Sequence, residues 1–314
     1  MPQLDVLSVG RISVDLYAVE PHIGFDGQQS FQKSVGGSPT NVAVAAARLG
    51  HRVGLATKVG DDQFGEYVRS RLGAWGVTTD FVGVQPGGQT PLALAALTPP
   101  ESPTVVFYRG PAAPDTTLTA HDVPADVVTG AQILWISQGS LAQGTTAETC
   151  LHWMGLRSRD QHTILDLDYR PALWDSVDSA REMATRAIAL STIVVGNREE
   201  CDVAVGTSDP DRAADLLLAT GVRLAIIKLG ADGVLLATST ERVRIPAIPI
   251  TLVCGLGAGD AFGGALCHGL LSGWDLNETG SFANAAGALV STRLTCADAM
   301  PTVDEVTELV GVAT

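Results

Sequence analysis

Short apolar runs alternate with helix-patterned segments along this chain, and that alternation most constrains its fold. The runs predict strands over 6–9, 54–58, 133–136, 163–166, 193–195, 224–228 and 233–237. Apolar residues at helical spacing predict helices over 41–49, 63–75, 146–159, 180–189, 209–219, 260–271 and 276–294. Strands separated by helices line up as a mostly parallel sheet with helices on both faces, an α/β fold. Two stretches break the rhythm. Residues 15–35 are polar and glycine-containing with interspersed Val, Ile and Phe, and residues 90–112 hold strand-like 92–97 and 105–108 with no helix between them. Hairpin-like insertions in an α/β protein often form a small sheet over the active site, so a β lid is expected from these segments. No Pro/Ser-rich linker divides the chain, so 1–314 reads as one domain with a lid. At 314 residues and 46% hydrophobic it has ample material for a large core.

Charge narrows the range of partners. A net charge of −14 argues against a nucleic-acid partner and against an anionic membrane surface. It leaves room for a nucleotide, because local dipoles rather than global charge hold a small phosphate. The chain enters an apolar strand at Leu4 without a basic leader, and no apolar run reaches the about 18 residues of a membrane span. The cysteines, Cys150, Cys201, Cys254, Cys267 and Cys296, form no C-x-x-C pair and read as reduced, mostly buried residues of a cytoplasmic protein. The histidines show no metal-ligand spacing, and neither a Ser-His-Asp nor a Cys-His grouping can be argued.

The most informative chemistry lies at Leu256-Gly257-Ala258-Gly259-Asp260-Ala261-Phe262-Gly263. Small residues at Gly257, Ala258 and Gly259 let backbone approach an anion, and a helix is expected to start at Asp260. A helix N-terminus presents unpaired N–H groups and a partial positive charge, which suits phosphate. A carboxylate beside it is placed to take a proton from a hydroxyl attacking phosphorus. Two plainer readings compete. One is a strand-capping turn whose Asp only answers the helix dipole. The other is a dinucleotide loop, since Gly255, Gly257 and Gly259 alternate. That one fits poorly: Phe262 stands where the fingerprint needs glycine, and the loop comes late in the chain.

Other segments offer polar groups with equally double readings. Gly36 and Gly37 permit close approach of a ligand, and Asn41 can donate to and accept from a hydroxyl or simply cap the helix that follows. Asp15, after the first strand, can accept two sugar hydroxyls or sit solvated in a loop. Arg109 and Arg170 offer planar forks for a carboxylate, or surface salt bridges. Asn197 and Glu200 share a helix face, fitted either to phosphate and a magnesium-bound water or to capping alone. Lys228 and Gly230 belong to a strand–turn–strand in which the lysine is placed to reach a phosphate, while Asp232-Gly233 alone would be an ordinary hairpin turn.

In their order along the chain these motifs resemble the PfkB (ribokinase-like) family of carbohydrate kinases from end to end. The matches are Val35-Gly36-Gly37-Ser38-Pro39-Thr40-Asn41-Val42-Ala43 continuing to Leu49-Gly50, then Val59-Gly60-Asp61-Asp62-Gln63-Phe64-Gly65, then Asn197 to Glu200, then Gly257 to Phe262. Within the family the chain is most similar to kinases of keto-deoxy sugar acids, through Gly10-Arg11-Ile12-Ser13-Val14-Asp15-Leu16-Tyr17, Phe107-Tyr108-Arg109, the stretch from Leu165 to Trp174, and Gly255-Leu256. Some of those kinases carry D-x-N-x-R where this chain has Asp168 in place of Asn.

The resemblance implies a ribokinase-like three-layer α/β/α fold with a small β lid, and ATP with Mg2+ as the phosphoryl donor. It makes Asp260 the catalytic base and Gly257, Ala258 and Gly259 the anion hole. Asp15, Gly36, Gly37 and Asn41 would hold sugar hydroxyls, with Arg109 and Arg170 on the acid's carboxylate. Asn197, Glu200, Lys228, Gly230, Gly257, Gly259 and Asn284 would serve the nucleotide, with Glu200 toward the metal. Lids in this family often pair between subunits, so a homodimer is expected by analogy. Another sugar kinase of the family, or a non-catalytic sugar-binding regulator on the same fold, remains open. One departure concerns the monovalent cation: the family often places D-T-T before G-A-G-D, whereas Cys254-Gly255-Leu256 brings neither carboxylate nor hydroxyl, which puts K+ activation in doubt.

Overall fold

A computed structural model describes residues 3–110 and 112–313, apart from the side chains of 312 and 313. The strands are β1 (Val6–Val9), β2 (Ser13–Ala18), β3 (Phe31–Gly36), β4 (Val53–Gly60), β5 (Val77–Thr78), β6 (Val82–Gln85), β7 (Leu92–Ala96), β8 (Thr104–Tyr108), β9 (Ile133–Ser137), β10 (His162–Asp166), β11 (Ile193–Asn197), β12 (Leu224–Lys228), β13 (Val234–Ala237) and β14 (Arg242–Ile245). The helices are α1 (Ser38–Arg48), α2 (Gln63–Ala74), α3 (Ala125–Gly130), α4 (Gly144–Gly155), α5 (Val177–Leu190), α6 (Arg198–Val205), α7 (Pro210–Ala219), α8 (Ala258–Ser272), α9 (Leu276–Ser291) and α10 (Val303–Ala313).

The large sheet runs β14-β13-β12-β11-β10-β9-β1-β4-β5, with β6 also on β4. From β5 to β12 every neighbouring pair is parallel, and β13 and β14 close the far edge as antiparallel additions. Its inner strands read as unbroken apolar runs because both faces are covered. Successive side chains point to opposite faces, so Val6 joins one core with α1, α8 and α9, while Leu7 joins a second core with α4, α5 and α7. The result is the expected three-layer α/β/α arrangement. A separate four-stranded sheet runs β3-β2-β7-β8, with β2 parallel to β7 and the other pairs antiparallel. It falls in the two segments that break the sequence rhythm. Among the described residues no helix is long and apolar enough to cross a membrane.

Several helix starts shift by one to three residues from the sequence expectation, and those of α1 and α8 matter because they lie at candidate site residues. α1 begins at Ser38, not Asn41, because Pro39 is preorganised for a first helical turn and Gly37, at φ 97°, supplies the cap. Asn41 is therefore not the N-cap: its backbone N–H donates to Gly37 O at 2.9 Å, and its side chain is free to point elsewhere. α8 likewise begins at Ala258, which puts Asp260 inside the first turn.

Candidate active site

Parallel sheets of this kind gather functional groups at the carboxyl ends of their strands. Arg11 follows β1, Asp166 ends β10 with Asp168 and Arg170 just beyond it, Asn197 ends β11 and Lys228 ends β12. The seam between α1 and α8 brings in the rest. A Cβ on Gly263 would lie 2.6 Å from the Trp135 ring, and one on Gly264 would overlap Ala45 and lie 2.9 Å from Ala46 N. The two helices thus meet almost backbone to backbone. Their N-terminal turns come together, and Asn41 Nδ2 donates to Asp260 Oδ2 at 2.7 Å. Asn41 Oδ1 has no partner, which leaves an acceptor for a hydroxyl.

Burial pushes the Asp260 carboxyl up to about 7; the negative charges of Asp168 and Asp166 add to the rise, and Asn41 and Ser38 oppose it. A carboxylate poised there is an effective proton acceptor near neutral pH. Beside it, Gly257 adopts φ 82° as the N-cap of α8, and no side chain caps that helix. Its leading N–H groups stay available to an anion. A Cβ on Gly259 would come 3.2 Å from Lys228 Nζ, so the ammonium faces the same space. Lys228 Nζ also lies 3.5 Å from Asp166 Oδ1 and 3.9 Å from Glu200 Oε2. Burial works against its charge, but Asp166, Glu200, Asp168 and Asp260 outweigh burial and raise its pKa. Burial lifts the Asp166 carboxyl to about 6 despite the lysine beside it.

The second sheet furnishes the opposite wall. Asp15 on β2 accepts from Ser13 Oγ at 2.6 Å and from Tyr17 Oη at 3.1 Å. Its carboxyl occupies the volume that a side chain at residue 36 would need, so Gly36 is what admits it. Burial raises the Asp15 pKa against those two hydroxyls. Arg109, just after β8, donates to Asp115 Oδ1 at 2.6 Å, and Asp115 Oδ2 accepts from Ile12 N at 3.0 Å. Arg170 Nε donates to Asp168 Oδ1 at 2.9 Å, and Arg11 Nη2 donates to Asp168 Oδ2. Burial works against ionisation of Asp168, but Arg170, Arg11 and Lys228 hold its pKa low.

Most residues singled out in the sequence lie in this one region. Asn197 and Glu200 form a reciprocal cap on α6, with Glu200 N donating to Asn197 Oδ1 at 2.9 Å and Asn197 N to Glu200 Oε2 at 2.7 Å. Glu200 nonetheless stays beside Lys228. Gly230 opens a short 3-10 turn after β12. Asn284 stands apart in its bonding, donating to Pro246 O at 2.9 Å. It lies one turn before Gly287, which packs on the Ala258 carbonyl. Arg11 and Asp115 are absent from the sequence candidates. Arg11 carries two signals, its place just after an apolar strand and its membership of the Gly10–Tyr17 stretch behind the resemblance; Asp115 carries none. Tyr17 and Cys296 are also new to the site: Tyr17 Oη lies 2.9 Å from Cys296 Sγ, which abuts Gly257. Among the described residues no group of three His, Cys, Asp or Glu could hold a metal on its own. The uncapped helix and the lysine fit a phosphate chain, and Glu200 and Asp166 fit a Mg2+ carried mainly by phosphate and water.

The chain is similar to known proteins over nearly its whole length. The model for the pfkB family carbohydrate kinases matches residues 3–303. A 5-dehydro-2-deoxygluconokinase from Shouchella clausii is 34% identical over 313 residues, covering 98% of this chain and 96% of its own. Another from Bacillus subtilis is 31% identical over 312 residues, covering 98% and 95%. A solved fructokinase with bound ATP from Xylella fastidiosa is 25% identical and superposes with a TM-score of 0.85, covering 98% of both chains.

Proposed function

The chain belongs to the pfkB family of carbohydrate kinases, and from that premise we propose that it phosphorylates 5-dehydro-2-deoxy-D-gluconate on O6, using ATP, in the breakdown of myo-inositol. One observation carries the mechanism: Asp260, tuned to about 7, is tied to Asn41 at the uncapped N-terminus of α8. Asp260 takes the proton from the O6 hydroxyl as its oxygen bonds to the terminal phosphorus. The bond between that phosphorus and the bridging oxygen of ADP breaks in line. The N–H groups at Gly257, Ala258 and Gly259, with Lys228, take up charge on the transferring group. Asp15, Gly36, Gly37 and Asn41 hold the sugar's hydroxyls, and Arg109 and Arg170 its carboxylate. Glu200 would hold Mg2+, whose charge would neutralise the phosphates. Asn197, Gly230 and Asn284 bound the nucleotide side.

The rest of the reading follows from the same frame. The chain works as one kinase domain, and the β3-β2-β7-β8 sheet acts as a lid that excludes water during transfer. Its neighbourhood exposes Phe31, Val106 and Tyr108, apolar surface suited to pairing two lids in a homodimer. Cys254-Gly255-Leu256 withholds the oxygens a K+ site would use there. All five cysteines are buried and unpaired, which supports a reducing, cytoplasmic setting. The test is ADP release with ATP and Mg2+ over a panel of sugars and sugar acids. Strongest turnover with 5-dehydro-2-deoxygluconate is expected. Preference for fructose or ribose would overturn the substrate, and no turnover with any of them would overturn the kinase reading.

A further inference from the structure

Five charged side chains form a row across the sugar end of the site, and the role of its middle member is unassigned so far. Arg109 pairs with Asp115. Arg11 lies close enough to Asp115 to favour its ionised form, which burial, the larger effect, opposes. Arg11 pairs with Asp168, and Asp168 with Arg170. The signs alternate and both ends are cationic. The ends come from different sheets, Arg109 just after β8 and Arg170 just after β10, while Arg11 sits in the short link between β1 and β2 that joins those sheets. Its side chain is 8% exposed and that of Asp168 4%. The guanidinium lies against Gly139, where a Cβ would come 2.6 Å from Arg11 Nε. Nε of Arg11 and Nε of Arg109 are both buried without a partner. Within the row three guanidiniums thus face two carboxylates, with buried donors to spare at Arg11 and Arg109, while the Arg170 side chain at its end is 47% exposed. A buried donor without a partner is unfavourable until an acceptor completes it.

Resting on the sugar-acid reading above, we propose that Arg11 is a positioning residue that sets the preference for an acid over a neutral sugar. It holds Asp168, and through Asp168 and Asp115 it keeps Arg170 and Arg109 facing one substrate carboxylate across the two sheets. The full-length chain carrying Arg11→Met or Arg11→Lys tests this, with KM and kcat measured for 5-dehydro-2-deoxygluconate and for ATP, and thermal melting recorded alongside. Arg11→Met should raise KM for the sugar acid by about tenfold or more, the loss expected of one charge-assisted hydrogen bond, while KM for ATP stays within about twofold. Arg11→Lys keeps the charge but loses the fork and should recover part of the loss. If Arg11→Met does not fold, Arg11→Lys alone carries the same split. An unchanged KM for the sugar acid, or equal changes for both substrates, overturns the proposal. Wild-type protein that prefers a neutral sugar overturns the sugar-acid reading and this proposal with it; an acid-preferring wild type without the split overturns this proposal alone.

Discussion

Replacing Asn41 with alanine should move the pH dependence of the reaction toward alkali. Asn41 Nδ2 donates to Asp260 Oδ2 at 2.7 Å and so favours the ionised carboxylate that the proposed mechanism makes the acceptor of the sugar proton. With that bond in place the Asp260 carboxyl stands at about 7. A hydrogen bond to a charged group contributes roughly 1.5–3 kcal/mol, and one pKa unit corresponds to about 1.36 kcal/mol. Water entering the gap recovers part of the loss, so an upward shift of about one unit is expected. The sign follows: loss of the donor destabilises the base form, so a smaller fraction is ionised at any pH below the new midpoint. At a pH near 7 the wild-type carboxyl is about half ionised and the variant's about one tenth, a roughly fivefold fall in kcat/KM from this cause alone. The gap closes two units higher. The assay is ADP release, with kcat/KM for the sugar measured from about pH 5.5 to 9.5, because that ratio reports the ionisations of the free enzyme. Loss of a sugar contact would lower the whole profile without moving its midpoint, so the midpoint is the readout. An acid limb that stays in place would refute the assignment of Asp260 as the titrating base.

Asp260→Asn should lower kcat by about two to four orders of magnitude while calorimetric ATP affinity stays near wild type; a loss below about tenfold would remove it from proton transfer. Gly36→Ala puts a methyl group into the volume of the Asp15 carboxyl, so KM for the sugar should rise with KM for ATP unchanged, and parallel changes in both would count against Asp15 as a sugar ligand. Gly264→Val overfills the seam against Ala45 and Ala46 and should cost about 1–3 kcal/mol by calorimetry, with kcat reduced as Asn41 and Asp260 separate. An unchanged Tm would mean that the helices slide apart freely.

The central sheet was legible because its strands are buried on both faces, which leaves an apolar run with nothing to disguise it: 6–9 and 224–228 coincide with β1 and β12. In the second sheet, strand-like 92–97 and 105–108 coincide with β7 and β8, while β2 and β3 were legible only as a break in rhythm. The sheet's β2–β7 pairing joins segments far apart in sequence, and no residue of β8 is fully buried, so its alternation runs only between exposed and part-buried apolar positions. Asn41 reads as a cap when helix propensity alone is weighed, but Pro39 moves the helix start and turns the side chain from capping toward Asp260. Asn197 and Glu200 were ambiguous for a real reason: they cap α6 reciprocally and still sit beside Lys228. Arg11 and Asp115 escaped because nothing in a lone Arg or Asp states what it pairs with; only folding brings residue 11 to 168 and residue 109 to 115 in one row.

The glycine-lined seam of α1 and α8 divides this molecule into parts that can change and a part that cannot. The separation of Asn41 and Asp260 is set where Gly264 meets the Ala45 methyl and the main chain of Ala45 and Ala46, with no long side chain that could swing to absorb an error. In the proposed reading, recognition of the substrate rests instead on long, jointed side chains, Arg109 and Arg170, at strand ends. A lineage drifting toward another sugar has many single steps open at those positions, each leaving proton transfer intact. At Gly263 and Gly264 the same drift meets the reaction itself at the first added carbon, so descendants of such a chain would differ in what they phosphorylate long before they differ in how.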